Sequence, residues 1–284
     1  MQEAYPVPDG AQERARWTAS GPAWDRWADP VAELADRLNQ PLLDAAGVMP
    51  GERVLDLASG AGEPALSAAR RTGPTGAVVG IDFVPSMLAG AVRRVQAAGD
   101  GPAPVFAVGD MTALPFCDAG FDRATCRFGI MFVPDAHTAL TETVRVIRPG
   151  GRAAFMVWGP LADNTLFAES AAAIDAVLGP DPQQTLTPLF RYQQAGDLAT
   201  AMTAAGFQDV EERELRPVGR VPLERAFWRA NLDMVFATRL AGQPAEIMTA
   251  IDEEARRRFA ARAIDGVCHL AMHVRLTAGS VGKG

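Results

Sequence analysis

Val54-Leu55-Asp56-Leu57-Ala58-Ser59-Gly60-Ala61-Gly62-Glu63-Pro64-Ala65 decides the fold. A short apolar run reaches an acidic residue, then a loop of small residues, then a proline where a helix can begin. Proline suits a first helical turn because the N–H it lacks has no intrahelical partner there. Glycines let the backbone turn sharply and approach a ligand closely. The stretch reads as strand, tight loop and helix, the unit that opens a nucleotide-type site in a doubly wound sheet. A plain glycine-rich turn shares the local pattern, so the rest of the chain has to separate the two.

Gly60-x-Gly62-x-x-Ala65 satisfies the dinucleotide fingerprint, and Asp82 follows Gly62 by 20 residues. Asp56 points elsewhere. A carboxylate at the end of the strand repels a pyrophosphate and attracts a ligand that carries an ammonium and a sulfonium. S-adenosylmethionine is such a ligand. The D-x-A-x-G-x-G pattern and the ordered motifs after it resemble the class I S-adenosylmethionine-dependent methyltransferases, in particular their ubiquinone/menaquinone-biosynthesis-type branch. Ala58 departs from that family's glycine pattern and demands an ordinary backbone conformation. The resemblance implies a Rossmann-like α/β fold with a seven-stranded sheet, mostly parallel, whose last strand is antiparallel. It also places Asp56, Ala58, Ser59, Gly60 and Gly62 around the cofactor.

Downstream, Gly80-Ile81-Asp82-Phe83 ends a second strand. A carboxylate there can accept from both ribose hydroxyls, and Phe83 can pack on adenine; the alternative is a helix-cap aspartate beside a core ring. Asp110-Met111 ends a third strand and resembles the family's adenine-reading pair, although an aspartate-initiated turn has the same look. Asp56, Asp82 and Asp110 therefore end successive parallel strands, at the sheet edge where such folds bind ligands. Phe121–Gly129 resembles the family's fourth strand, whose end lies under the methionine part of the cofactor. Arg127 is unusual there: its carbonyl can accept from an ammonium, its side chain can pair with Asp135 or clamp a carboxylate, or it is structural. Ile147-Arg148-Pro149-Gly150-Gly151-Arg152 marks the turn into the fifth strand.

The alternation of period around these motifs builds the sheet. Strands are expected at Arg53–Leu57, Ala77–Ile81, Pro104–Val108, Phe121–Phe128 and Arg152–Trp158. Helices are expected at Pro64–Arg71, Pro85–Ala98 and Asp135–Arg148. Before this core, residues 1 to about 10 read as loose and 11–46 as helical. A helix start falls at Ser20-Gly21-Pro22, an apolar face runs through Val31, Leu34, Leu38 and Leu42-Leu43, and Pro41 divides or kinks it. After the core come a helix at Asn164–Leu178, a turn-rich stretch at Gly179–Thr187, a helix at Ala195–Ala205 and a strand at Gln208–Leu215. Helices at Pro222–Ala241 and Ala245–Ala263 and an apolar strand near Val267–Leu276 follow. The division is a helical cap over 1–48, a cofactor-binding core over 49–160, and a remainder over 161–284. The remainder carries a helical lid at about 218–263 and the final strand at about 267–276.

The 284 residues are 48% hydrophobic and 21% charged, the balance of an ordinary globular protein. A net charge of −7 and a pI near 5.1 argue against nucleic acid as a partner. Cys117, Cys126 and Cys268 are too few and too scattered for a disulfide framework or a zinc cluster, and a reducing cytoplasm is the natural setting. No targeting segment or membrane span is expected. No metal spacing is present. A homodimer through the lid is compatible with the sequence but not required by it.

Methyl transfer is an in-line displacement, and much of its catalysis comes from proximity and alignment. A base is required only where the acceptor must lose a proton. His137, at the head of the helix after the fourth strand, is a weak candidate; His269 and His273 sit i,i+4 in the predicted last strand and read as packed or surface residues. Trp24 and Trp27, one helical face by i,i+3 spacing, join Met131, Phe132, Trp158, Phe167, Phe227 and Trp228 as candidates for the acceptor pocket. These residues suggest a small apolar or aromatic acceptor methylated at O, N or C. An NAD(P)-dependent oxidoreductase is the alternative, weakened by Asp56 and by the lack of a Tyr-x-x-x-Lys pair; a non-catalytic S-adenosylmethionine-binding module is another.

Overall fold

The computed structural model describes residues 7–181 and 186–283; the side chains of residues 31–36 and of Thr187 lie outside that description. The expected loose residues 1–6, the apolar contacts of Val31 and Leu34, and residues 182–185 of the turn-rich stretch therefore fall outside it.

The core is a seven-stranded sheet in the order β3-β2-β1-β4-β5-β10-β6. Its strands are β1 (Arg53–Leu57), β2 (Ala77–Asp82), β3 (Val105–Val108), β4 (Phe121–Arg127), β5 (Ile147–Trp158), β6 (Gln208–Leu215) and β10 (Val274–Ser280). The strands β1 to β5 run parallel, and β10 is antiparallel to both β5 and β6. β1 lies centrally and is buried at Val54, Leu55, Asp56 and Leu57. The chain leaves β1 in one direction toward β2 and β3 and later in the other toward β4, so the carboxyl ends of β1 and β4 flank a topological switch point.

Gly151 shows why the fifth strand begins at Ile147 rather than at Arg152. A Cβ there would stand 2.6 Å from the Asp122 carbonyl, so glycine lets the turn lie against β4. Ile147 then pairs with Phe121, and the preceding helix α4 (Ala136–Val146) stops before the Arg148 expected from the sequence. The helices α2 (Ala65–Thr72) and α3 (Pro85–Ala98) cover the sheet much as the alternation predicts.

The N-terminal segment is one helix, α1 (Gly10–Ala46), with Pro22, Pro30 and Pro41 inside it. Neither the start expected at Ser20–Pro22 nor the division at Pro41 occurs. An internal proline removes one hydrogen bond and clashes with the preceding turn; here the continuing helix is held by its apolar face. Leu38, Leu42, Leu43 and Ala46 are buried against Val54, Met156, Val274 and Leu276. The Asp9 carboxylate caps the start by accepting from the Ala11 and Gln12 N–H groups at 2.8 and 3.0 Å, and Gly47 ends the helix in the left-handed region.

The segment between β6 and β10 departs from an all-helical lid. It opens with strand β7 (Val218–Pro222), continues through helices α7 (Trp228–Val235), α8 (Ala237–Leu240) and α9 (Ala245–Ala261), and closes with strands β8 (Ala263–Ile264) and β9 (Val267–Ala271). These strands form a separate antiparallel sheet, β7-β9-β8. The expected final strand at 267–276 is thus two strands in two sheets. The change occurs at His273, whose N–H donates to Asn164 Oδ1 at 2.9 Å, while its carbonyl accepts from Gly159 N at 2.8 Å. A period-2 apolar run carries no mark of which sheet each half joins. His269 and His273 consequently do not share a strand. Helices α5 (Thr165–Leu178) and α6 (Asp197–Ala204) complete the fold.

Candidate functional site

A cavity of about 670 Å³ opens at the carboxyl ends of the parallel strands, beneath the first turns of α1. Drug-sized and cofactor sites occupy about 300–1,000 Å³. Its floor comes from the loops after β1 to β4. Gly60 lies at φ +51°, and a Cβ there would point into open space with only Met87 Sδ at 3.9 Å. Ala58 also takes a positive φ of +55°, against the ordinary conformation expected of it. A left-handed alanine costs about 1–2 kcal/mol; Gly129 accommodates it, since a Cβ on Gly129 would stand 2.5 Å from the Ala58 Cβ.

Asp82 ends β2 on the cavity wall. Its Oδ2 accepts from Gly60 N at 3.0 Å and its Oδ1 from Val84 N at 2.9 Å, so each oxygen keeps acceptor capacity. Burial pushes its carboxyl above the usual range, against the pull of these N–H donors. Phe83 and Met111 supply apolar wall beside it. Asp110 sits at the rim, where its Oδ1 accepts from Thr112 N and Oγ1. Arg14 of α1 closes this corner, 4.8 Å over the Phe83 ring and 3.8 Å from Asp110 Oδ2. The sequence offered no signal for Arg14, an arginine in the exposed first turns of a helix.

Arg127 reaches the wall from the end of β4, and its guanidinium donates to Asn39 Oδ1 at 3.1 Å rather than to Asp135. Burial lowers its pKa. Glu63 lies close by on the wall; its Oε2 accepts from Asn39 Nδ2 at 2.8 Å, and Arg94 lies 3.3 Å from its Oε1. Glu63 and Asn39 were not singled out in the sequence, because only the tertiary fold brings α1 against the glycine loop.

Asp56 is off the wall, fully buried beneath Ser59. Its Oδ1 accepts from Thr125 Oγ1 at 2.9 Å and its Oδ2 has no partner among the described residues. Burial pushes its carboxyl up to about 7. Its side chain projects into the sheet layer, so it does not present a carboxylate at the cavity surface as the strand-end position suggested. Gly62 is also set back, its φ of +104° serving a close approach to Leu66 and Ala91. Ser59 remains on the wall, its Oγ donating to the Asp56 carbonyl at 3.0 Å.

The roof is aromatic. Trp17 and Trp24 from α1 meet Phe132, with ring centroids 5.8 Å apart for the tryptophan pair and 4.7 Å for Trp17 and Phe132. Phe128 stacks on Trp158 at 4.0 Å, and Phe167 packs edge-on to Trp158 at 4.9 Å. All six rings line the cavity. Trp17 and Phe128 were missed in the sequence; Trp17 stands i,i+7 from Trp24, the same face of one helix two turns apart, a spacing that could have found it. Five expected wall residues lie elsewhere. Trp27 turns to α7, where its Nε1 donates to Asp233 at 2.9 Å. Met131 is fully enclosed in the core. Phe227 and Trp228 pack on Phe259 beneath α9. His137 is exposed on α4, away from the wall. Tyr192 and Lys283 also lie off the wall, and among the described residues no cluster could hold a metal ion.

A demethylmenaquinone methyltransferase from Renibacterium salmoninarum is 34% identical over 212 residues, covering 69% of this chain and 83% of that protein. The sequence model described as the ubiE/COQ5 methyltransferase family matches residues 36–161. The chain belongs to the ubiE/COQ5 methyltransferase family. The match takes in the glycine loop, Asp82, Asp110 and the end of β4, and it starts after the first turns of α1 that roof the cavity. A demethylmenaquinone methyltransferase from Beutenbergia cavernae is 45% identical over 130 residues, 45% of this chain and 50% of that protein. The chain spans about half the length of the first curated relatives it matches. Among solved structures, the [4+2]-cyclase SpnF superposes with a TM-score of 0.64 at 20% identity, covering 99% of this chain and 100% of that one. That likeness concerns the fold alone, and a fold does not fix a reaction.

The residues on the floor fit S-adenosylmethionine, the cofactor of this ubiE/COQ5 methyltransferase family member. Asp82 has unused acceptor capacity for ribose hydroxyls, the Gly60 backbone leaves an open cradle, and Phe83 and Met111 offer apolar faces to a purine. Among the described residues, no helix is long and apolar enough to cross a membrane.

Proposed function

We propose that this chain transfers the methyl group of S-adenosylmethionine to O, N or C of a small apolar or aromatic acceptor. The observation that carries this reading is one cavity with two chemistries. A floor of carboxylate and glycine backbone meets a roof of six aromatic rings within about 670 Å³. Bound there, the cofactor supplies a methyl group activated on a sulfonium. Asp82 would hold the ribose hydroxyls, Phe83 and Met111 the adenine, and Arg127 with Glu63 the amino-acid end. The rings exclude water, and their faces attract a cation by about 0.5–2 kcal/mol. The remaining catalytic contribution is alignment of donor and acceptor. The names of the demethylmenaquinone enzymes among the relatives support a flat bicyclic ring as one acceptor to try. A cytoplasmic setting and the division into cap, core and lid remain part of this proposal.

Thermal unfolding with S-adenosylmethionine, S-adenosylhomocysteine and NAD(P)H tests the reading. A ligand at about 100 times its Kd adds about 2.7 kcal/mol when it binds only the native state. For a chain of this size that raises Tm by about 4–5 °C. The adenosyl ligands are expected to give this shift. A shift with NAD(P)H alone would favour the oxidoreductase. Transfer of labelled methyl groups into a small-molecule extract then separates an enzyme from a binding module.

A further inference from the structure

We propose that Glu13, on the first helix, accepts the proton that the acceptor loses when it is methylated. The proposal rests on the methyl-transfer reading and adds to it a base from outside the region that the family model matches. Glu13 lies one turn after the Asp9 cap, is only 7% exposed and lines the cavity. Its Oε2 accepts from Trp17 Nε1 at 3.0 Å and from Arg16 at 3.4 Å, which fixes the carboxylate. Its second oxygen takes no hydrogen bond from a described residue.

The surroundings suit an aromatic guest. Trp17, Trp24 and Phe132 form the wall beside this carboxylate. The Trp24 Nε1–H is buried without a partner among the described residues. The carboxylate with an unused acceptor thus lies at the aromatic end of the cavity, among rings that line it.

The other carboxylates on the wall each serve contacts of their own. Glu63 is held by Asn39, Ser67 and Arg94. Asp82 holds the Gly60 and Val84 amides. Asp110 bonds Thr112, and Asp135 caps α4 through Thr138. No described histidine lies on the wall. Arg16 is the charged neighbour on the same helix, and Arg14, Arg94 and Arg127 are the remaining cations of the cavity. Burial raises the Glu13 pKa, opposed by Arg16 and by the Trp17 bond, which moves its proton affinity toward that of a weakly acidic acceptor. In the step, the acceptor atom bonds to the methyl carbon as the carbon–sulfur bond breaks. The bonding electrons leave with sulfur as a neutral thioether. The acceptor's proton passes to Glu13, which becomes a neutral acid and later releases it to solvent.

Glu13→Gln keeps an oxygen for Trp17 and Arg16 while removing the base. Three readouts are compared with wild type: S-adenosylhomocysteine affinity by calorimetry, labelled methyl transfer to 1,4-naphthohydroquinone and to a small-molecule extract from about pH 5 to about pH 9, and tryptophan fluorescence over the same range. The expected result is unchanged affinity, transfer reduced about 10²-fold or more, and loss of the acidic limb of the kcat/KM profile. The fluorescence step from Trp17 as Glu13 titrates should also vanish. Transfer within about threefold of wild type, with the acidic limb intact, overturns the proposal. So does a fluorescence titration identical in the two proteins. A wild type that binds S-adenosylhomocysteine yet methylates neither acceptor source overturns the base while leaving the cofactor site. A wild type that does not bind S-adenosylhomocysteine overturns the underlying reading itself.

Discussion

The floor and the roof of the cavity are built by different rules. On the floor each side chain is placed by its own strand: Asp82 and Asp110 end successive parallel strands, and Gly60 lies in the turn that leaves β1. On the roof, Phe128 and Trp158 are likewise placed by the ends of β4 and β5, but the α1 share depends on how that helix lies over the sheet. Trp24 and Trp27 share a helical face, yet Trp24 lines the cavity while Trp27 bonds Asp233 of α7. Position along a strand is a local property of sequence. The direction a helical face looks is settled by its neighbours.

Removing Asp82 should break the floor most severely. Asp82→Ala deletes the acceptor for two backbone amides and, in this reading, for the ribose hydroxyls. Hydrogen bonds to a charged group contribute about 1.5–3 kcal/mol each, so calorimetry should show S-adenosylhomocysteine affinity reduced about 10²- to 10⁴-fold. An unchanged affinity would place the nucleoside elsewhere and dissolve the contrast.

Asp56 gives an effect on stability instead. Its carboxyl is pushed from 3.8 to about 7 in the fold. Below pH 3.8 both folded and unfolded forms are protonated and the shift has no effect. As pH rises, the unfolded chain ionises first, so stability falls until about 7 and is level above it. The loss is at most about 4 kcal/mol. Asp56→Asn should therefore be more stable than wild type in denaturant melts at pH 8, with the advantage shrinking toward about pH 4. A difference independent of pH would mean that Asp56 is not buried as an acid.

The smallest effect tests the roof. Asp233→Ala removes the acceptor of Trp27 Nε1 and the ion pair with Arg26, which joins α1 to α7. A loss of about 1–2 kcal/mol is expected, a few degrees of Tm in calorimetry, with S-adenosylhomocysteine affinity retained. A large loss of affinity would show that roof and floor form one unit.

The parallel core was legible because the alternation of periods and the glycine loop are local signals, while the seven-stranded count came from the family resemblance those motifs carry. Even there, Ala58 entered the left-handed region that its side chain disfavours, because Gly129 yields the space. Asp56 was legible as a strand-end acid, but its burial was not; that follows from the layer of Ser59 and Thr125 above and beside it. The run at 267–276 looked like one strand, and the break at His273 depends on Asn164, a residue 109 positions away.

By itself, the sequence determined the parallel core and the acidic strand ends, which follow from periodicity and residue chemistry over short spans, and its motifs carried the family resemblance that implies the cofactor. The tertiary structure alone decided which aromatic rings face the cavity, that Glu13 stands among them, and that Asp56 is enclosed. Those outcomes depend on contacts between segments far apart in the chain, where burial and the fate of each polar group are fixed.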